Sequence, residues 1–211
     1  MKKNPKVLFI DWHNTLSYSF FWSQLSDKNH PHNNYYKIIN HWLFEKNNHL
    51  IEKWMRGSLN SEQICNKLAV ENNLDKKIIL NTLKESSEKM ELCSNNILDI
   101  IKDIRKKNIK VVIATDNMDT FRKFTIRGLR LDRFFDDFLI SSELKVLKYD
   151  ITNDKIPFFD PFLKKNSLSY DDVILLDDSE EKSGIYNKLG FKISLVTDTP
   201  SLLNYLREYL D

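Results

Sequence analysis

Short apolar runs of strand length recur along the chain, and helical spacing fills the intervals between most of them. Residues 6–11, 110–115, 138–141, 173–177 and 192–196 are rich in β-branched and aromatic side chains and read as five strands. The first contains Val7-Leu8-Phe9-Ile10, four apolar residues in succession, the pattern of a strand buried on both faces. Helical periodicity appears at 97–107, 119–127, 160–166, 180–189 and 200–210. This alternation predicts an α/β fold: a doubly wound parallel sheet of about five strands with helices on both faces. Asp160-Pro161 reads as an N-cap followed by Pro at the first helical position, and Gly190 suits the end of the helix before the fifth strand.

From residue 18 to residue 93 the strand pattern is replaced by helical spacing, at 35–46, 49–56, 61–71 and 75–88. Asn60 and Gln63 form a capping-box signature, and Gly57 fits a helix C-terminus. The pattern predicts a Rossmann-like core of residues 1–17 and 94–211 and a small all-helical cap of residues 18–93. An insert leaving the sheet edge that presents Asp11 is placed to act as a lid.

Composition narrows the possibilities. With 211 residues, 41% hydrophobic and 29% charged, the chain is able to bury one full core and a modest subdomain. A net charge of +2 gives no electrostatic reason to expect a nucleic-acid or membrane partner. Cys65 and Cys93 have no metal or redox spacing and read as reduced thiols. The apolar run before Asp11 is too short for a signal-peptide core or a membrane span, so a cytoplasmic protein is expected.

Asp11 ends the first strand, Thr115 the second and Asp177-Asp178 the fourth, each directly after an apolar run. In a doubly wound sheet these ends share one crevice. Three carboxylates, a hydroxyl and a basic residue such as Lys148 suit Mg²⁺-assisted phosphoryl transfer, because hard Mg²⁺ prefers oxygen ligands and keeps water and phosphate in its shell.

In this order the residues resemble the haloacid dehalogenase-like (HAD) superfamily. Asp11-Trp12-His13-Asn14-Thr15 is similar to its first motif, Asp-x-Asp-x-Thr/Val, and Val111-Val112-Ile113-Ala114-Thr115 to its second. The segment from Ser141-Ser142-Glu143 to Lys148-Tyr149-Asp150 is similar to the third, and Val173-Ile174-Leu175-Leu176-Asp177-Asp178 to the fourth. The resemblance implies a subclass with a helical cap after the first motif. It implies that Asp11 attacks phosphorus to give an aspartyl-phosphate, with Mg²⁺ held by Asp11, the His13 backbone carbonyl and Asp178. Thr115 and Lys148 would bind phosphoryl oxygens, joined by backbone donors at Trp12 and Asp116, with Asp177 and Lys182 in support.

Three departures from the family pattern stand out. His13 replaces the second Asp of the first motif, the acid–base residue of family phosphatases; imidazole is also able to move protons near neutrality. Lys182 stands where relatives often carry Asp or Asn, and is placed to repel Lys148, pair with Asp177 or weaken metal binding. Residues 151–156 read as a short insertion that reshapes the entrance.

Three function classes follow. The first is an Mg²⁺-dependent phosphatase acting on a small phosphorylated metabolite. The second is a slow or inactive HAD-like binding or regulatory protein. The third is a metal-independent dehalogenase, disfavoured because Asp177-Asp178 would repel an anionic haloacid. Phe20, Phe21 and Trp22 are candidates either for a pocket beneath the cap or for packing.

Overall fold

The computed structural model describes residues 4–210. Strands β1 (Val7–Ile10), β2 (Lys110–Thr115), β3 (Asp137–Ile140), β4 (Val173–Asp177) and β5 (Lys192–Leu195) form one parallel sheet in the order β3-β2-β1-β4-β5. The helices, in chain order, are α1 (Asn33–Ile39), α2 (His49–Met55), α3 (Ser61–Asn72), α4 (Lys76–Glu88) and α5 (Ile97–Lys106). They continue with α6 (Ile126–Leu129), α7 (Ser141–Leu144), α8 (Asp160–Lys165), α9 (Ile185–Lys188) and α10 (Thr199–Arg207).

β1 lies at the centre, and all four of its residues are buried, as an apolar run between two helical layers must be. The two-residue period divides its side chains. Leu8 and Ile10 join Ile101 of α5 and Leu202 of α10 on one face; Val7 and Phe9 join Phe162 of α8 and Tyr186 of α9 on the other. Ile10 is paired with Ile113 of β2 and Leu176 of β4. That register stands Asp11 beside Asp177 and brings Thr115 to the same sheet edge.

Between β1 and β2 the structure is helical, and its apolar residues form a third cluster that includes Trp22, Trp54, Leu68 and Leu83. The predicted capping box is present: the Asn60 side chain accepts from the Gln63 N–H, and the Gln63 side chain from the Asn60 N–H. Polar contacts fasten this segment to the sheet domain. The Arg56 guanidinium grips both oxygens of Asp150 at 2.5 and 2.9 Å, which holds the Asp150 carboxyl below the usual carboxylate range. The Ser141 hydroxyl donates to the Met55 carbonyl at 2.7 Å, and Asp119 accepts from the Trp54 indole at 2.7 Å and the Ser61 N–H at 3.0 Å. These contacts fix the C-terminal end of α2 over the sheet edge.

Several local expectations require correction. The predicted helix at 180–189 is confined to α9, because Glu181 turns back to accept from the Ser183 and Tyr186 N–H groups and Gly184 adopts φ 75°. Asp160 does not cap its helix. It is the first helical residue, and its carboxylate accepts instead from the Tyr170 hydroxyl. Ser141 begins α7 rather than ending β3. The helix expected at 119–127 contains a wide π-type turn, Phe121–Thr125, before α6. Among the described residues, no helix is long and apolar enough to cross a membrane.

Candidate active site

β1 ends where the chain turns sharply. The N–H groups of Leu16 and Ser17 both reach the Trp12 carbonyl, at 3.0 and 2.9 Å, and Asn14 takes a left-handed conformation with φ 55°. The turn leaves the Asp11 carboxylate at the sheet edge, 5% exposed. Asp177 and Asp178 follow from β4, and single carboxylate oxygens of all three residues lie within 4.8 Å of one another. Among the described residues, this is the one grouping of three or more His, Cys, Asp or Glu side chains close enough to share a metal ion.

Lys148 enters the cluster from the loop after α7. Its ammonium is 2.9 Å from Asp11 Oδ1 and 2.5 Å from Asp177 Oδ2, and the residue is only 4% exposed. The approach to Asp11 is an ion pair without hydrogen-bond alignment, so Oδ1 is left with no aligned donor. The loop that carries Lys148 is held at both ends of the residue. Its backbone N–H donates to Asp116 Oδ1 at 3.0 Å, and its carbonyl accepts from the buried Tyr186 hydroxyl. Asn14 Nδ2 donates to Asp178 Oδ2 at 3.2 Å and so ties the β1 turn to the β4 turn.

Electrostatics mark the cluster as short of positive charge. Burial would depress the Lys148 ammonium, but the charges of Asp11, Asp177 and Asp116 outweigh it and raise Lys148 well above its ordinary value. Burial raises the Asp11 and Asp177 carboxyls despite that neighbour, and pushes Asp116 up to about 6. One ammonium is therefore too little for the carboxylates around it. A divalent cation beside Asp11 and Asp178 would supply the missing charge, and the all-oxygen donor set suits Mg²⁺.

Thr115 lies at the same edge with a buried hydroxyl that has no partner. His13 is half-buried, its ring edge-on to Phe20 with centroids 5.0 Å apart. Burial lowers the imidazole below its usual value; the Asp178 charge opposes this and the Lys148 charge adds to it. Desolvation thus outweighs the Asp178 carboxylate, which would favour the cation.

A cavity of about 200 Å³ opens beside this cluster. Trp12, Phe20 and Phe21 line it from the β1 turn and Phe44, Ile51 and Met55 from the helical segment, with His13, Asp116 and Asn117 as polar neighbours. Trp22 is not among the lining residues: its indole donates to the Ile79 carbonyl inside the helical cluster. Lys182 is exposed and does not pair with Asp177, whose partners are Lys148 and the Ser179 N–H. Residues 151–156 do not line the cavity; Thr152 and Lys155 close a tight turn on each other, and Ile156 is buried in the aromatic-rich cluster that packs on one face of the sheet. The sequence reading missed the Asp116 side chain and the cavity-facing residues of α2. The Ser-Ser-Glu motif, whose Ser141 holds the Met55 carbonyl, was the available signal for the latter.

No protein-family model matches the sequence, and no curated protein does. Solved structures do match. A HAD family enzyme from Bacteroides thetaiotaomicron, BT-2542, superposes with a TM-score of 0.66 at 16% identity, over 92% of this chain and 94% of its own. The same enzyme has been crystallised in complex with magnesium and inorganic phosphate. A predicted HAD-like family hydrolase from Porphyromonas gingivalis gives 0.66 at 15% identity, over 97% and 99%. The L-2-haloacid dehalogenase of Xanthobacter autotrophicus gives 0.62 at 12%, over 96% and 82%. The chain has the HAD-like fold along nearly its whole length.

Proposed function

We propose that this protein is an Mg²⁺-dependent phosphomonoesterase that works through an aspartyl-phosphate on Asp11, with the helical segment serving as a cap. The observation that carries the reading is the cluster of Asp11, Asp177 and Asp178 around a single buried ammonium. The magnesium and phosphate complex of BT-2542, a protein of the same fold, supports it. Asp11, Asp178 and the His13 carbonyl would hold Mg²⁺, which supplies charge neutralisation for the phosphoryl oxygens when bound.

The chain's own residues account for the remaining steps. An Asp11 carboxylate oxygen attacks phosphorus, the bond from phosphorus to the ester oxygen breaks, and the departing alkoxide takes a proton from the His13 imidazolium. Water then attacks the aspartyl-phosphate, neutral His13 accepts its proton, and inorganic phosphate leaves with Asp11 restored. Lys148 and Thr115 hold phosphoryl oxygens throughout, with the N–H groups of Trp12 and Asp116 as further donors. Carbon–halogen hydrolysis is the weaker reading, because three clustered carboxylates with one ammonium repel an anionic haloacid.

Purified protein is expected to release phosphate from a phosphomonoester in Mg²⁺ and to stop on addition of EDTA. Retention of the full rate in EDTA refutes the metal dependence. Phosphate binding without any turnover in Mg²⁺ would instead identify a binding protein.

His13 predicts a pH dependence that discriminates between leaving groups. An alkoxide needs the imidazolium, whose pKa is lowered here from about 6.5. For an alkyl phosphate, kcat/KM should therefore fall as pH rises through a value below 6.5. For p-nitrophenyl phosphate, whose leaving group needs no proton, that descending limb should be absent. His13→Ala should lower the alkyl rate by about 10²-fold or more and remove the difference between the two profiles. An unchanged alkyl profile in His13→Ala rules out His13 as the acid.

A further inference from the structure

The cavity beside Asp11 is unusual in what it lacks. Its walls are mostly aromatic and aliphatic, and among the side chains lining it only His13 is able to carry positive charge. Its few polar neighbours are committed in part elsewhere. Asn117 Oδ1 accepts from the Met118 N–H at 2.9 Å, Ser19 Oγ accepts from the Glu91 N–H at 2.9 Å, and Asp116 Oδ1 accepts from the Lys148 N–H. A hydroxyl-rich group seated here would have more oxygens than this sparse polar lining can pair, and each one buried without a partner costs about ten-fold in affinity. A second phosphate or a carboxylate would meet no guanidinium or ammonium.

Exposure points the same way. Phe20 is 57% exposed and Phe44 41%, two of the four large apolar residues left open on the described surface, and both border this cavity. Single exposed apolar residues need no explanation, but two on facing elements around one opening mark a site built to receive apolar surface. An apolar cavity of roughly 150 Å³ accommodates one benzene ring. About 200 Å³ therefore leaves room for a ring and the carbon that joins it to the ester oxygen.

We infer that the substrate's leaving group is a compact, uncharged apolar alcohol, the size of one aromatic ring or a short branched alkyl chain, seated between Trp12 and the Phe44, Ile51 and Met55 side chains. The inference rests on the phosphatase reading for the phosphoryl end of the substrate. It adds what that reading leaves open: a preference against sugar phosphates and bisphosphates, set by apolar packing and not by charge.

The test compares esters whose leaving alcohols have similar intrinsic reactivity, so that any preference reports the pocket. Wild-type protein in Mg²⁺ should hydrolyse benzyl phosphate and isoamyl phosphate with kcat/KM about 10- to 100-fold above glycerol phosphate and glucose 6-phosphate. Ile51→Asp should collapse that ratio by placing a carboxylate in the apolar wall. Phe44→Ser, at the exposed rim, should reduce it more gently and serves if Ile51→Asp does not fold. Equal or higher kcat/KM for the polyol esters overturns the pocket assignment while upholding phosphatase activity. If no ester is turned over, the phosphatase reading fails, and calorimetry decides the pocket separately. Benzylphosphonate binding at least ten-fold more tightly than a glycerol-derived phosphonate upholds the inference; equal affinity, or no binding of either, overturns it.

Discussion

Replacing Asp11 with Asn is expected to cut phosphate release by at least about 10³-fold while leaving the thermal midpoint at or above that of the parent. The loss follows from the proposed covalent step, because an amide offers no carboxylate to form the acyl-phosphate bond, and removal of a nucleophile costs on the order of 10³-fold or more. The retained stability follows from the site's electrostatics. Burial holds the Asp11 carboxyl above its ordinary value, so its ionised form opposes folding at neutral pH. The neutral isostere removes that penalty, and Lys148 keeps Asp177 as a partner. Steady-state phosphate release and thermal unfolding on the same preparations check both halves. Activity within ten-fold of the parent eliminates Asp11 as nucleophile; a large fall in the midpoint would show that the residue acts chiefly in structure.

How much of this was legible in the sequence depends on the range of the interaction. Asp11, Thr115 and Asp177 were readable because each directly follows an apolar run, and a parallel sheet with all its strands running one way must bring those ends to one edge. Lys148 was readable only through its motif, since no periodicity announces a loop lysine that turns inward to meet two carboxylates. The pairing of Arg56 with Asp150 spans 94 residues and depends on how α2 sits over the sheet, which no local pattern encodes. The same holds for Phe44, Ile51 and Met55. Apolar spacing shows that their helices have a buried face, but not that part of it meets a cavity instead of a neighbouring helix. Residues 180–184 misled in the other direction: their composition suits a helix, and the Glu181 carboxylate instead draws the backbone into a turn that α9 only follows.

Lys148→Met carries the largest expected effect on stability, and its pH dependence separates electrostatics from packing. The substitution keeps most of the side-chain volume but leaves Asp11 and Asp177 buried with no cation between them. Breaking a buried ion pair from one side costs about 3–5 kcal/mol. At roughly 2–4 °C per kcal/mol for a chain of this size, the midpoint should fall by about 6–20 °C at pH 8 without metal. The sign of the pH effect is fixed. Without the ammonium, both carboxyls rise further above their unfolded-state values. An acid raised in the folded state gives its full stability below the unfolded pKa and loses it as pH rises through the folded one. The deficit should therefore shrink steadily between pH 8 and pH 5, as protons take the place of the missing ammonium. Mg²⁺ should recover part of it at pH 8, if Asp11 and Asp178 bind the ion as proposed, because ligand binding to the folded state alone raises its stability. Thermal midpoints of parent and variant at the two pH values, with and without Mg²⁺, measure each contribution. A deficit that is the same at pH 5 and pH 8 would mean that Lys148 stabilises the site by packing alone, and that the charge imbalance inferred around Asp11 is not present.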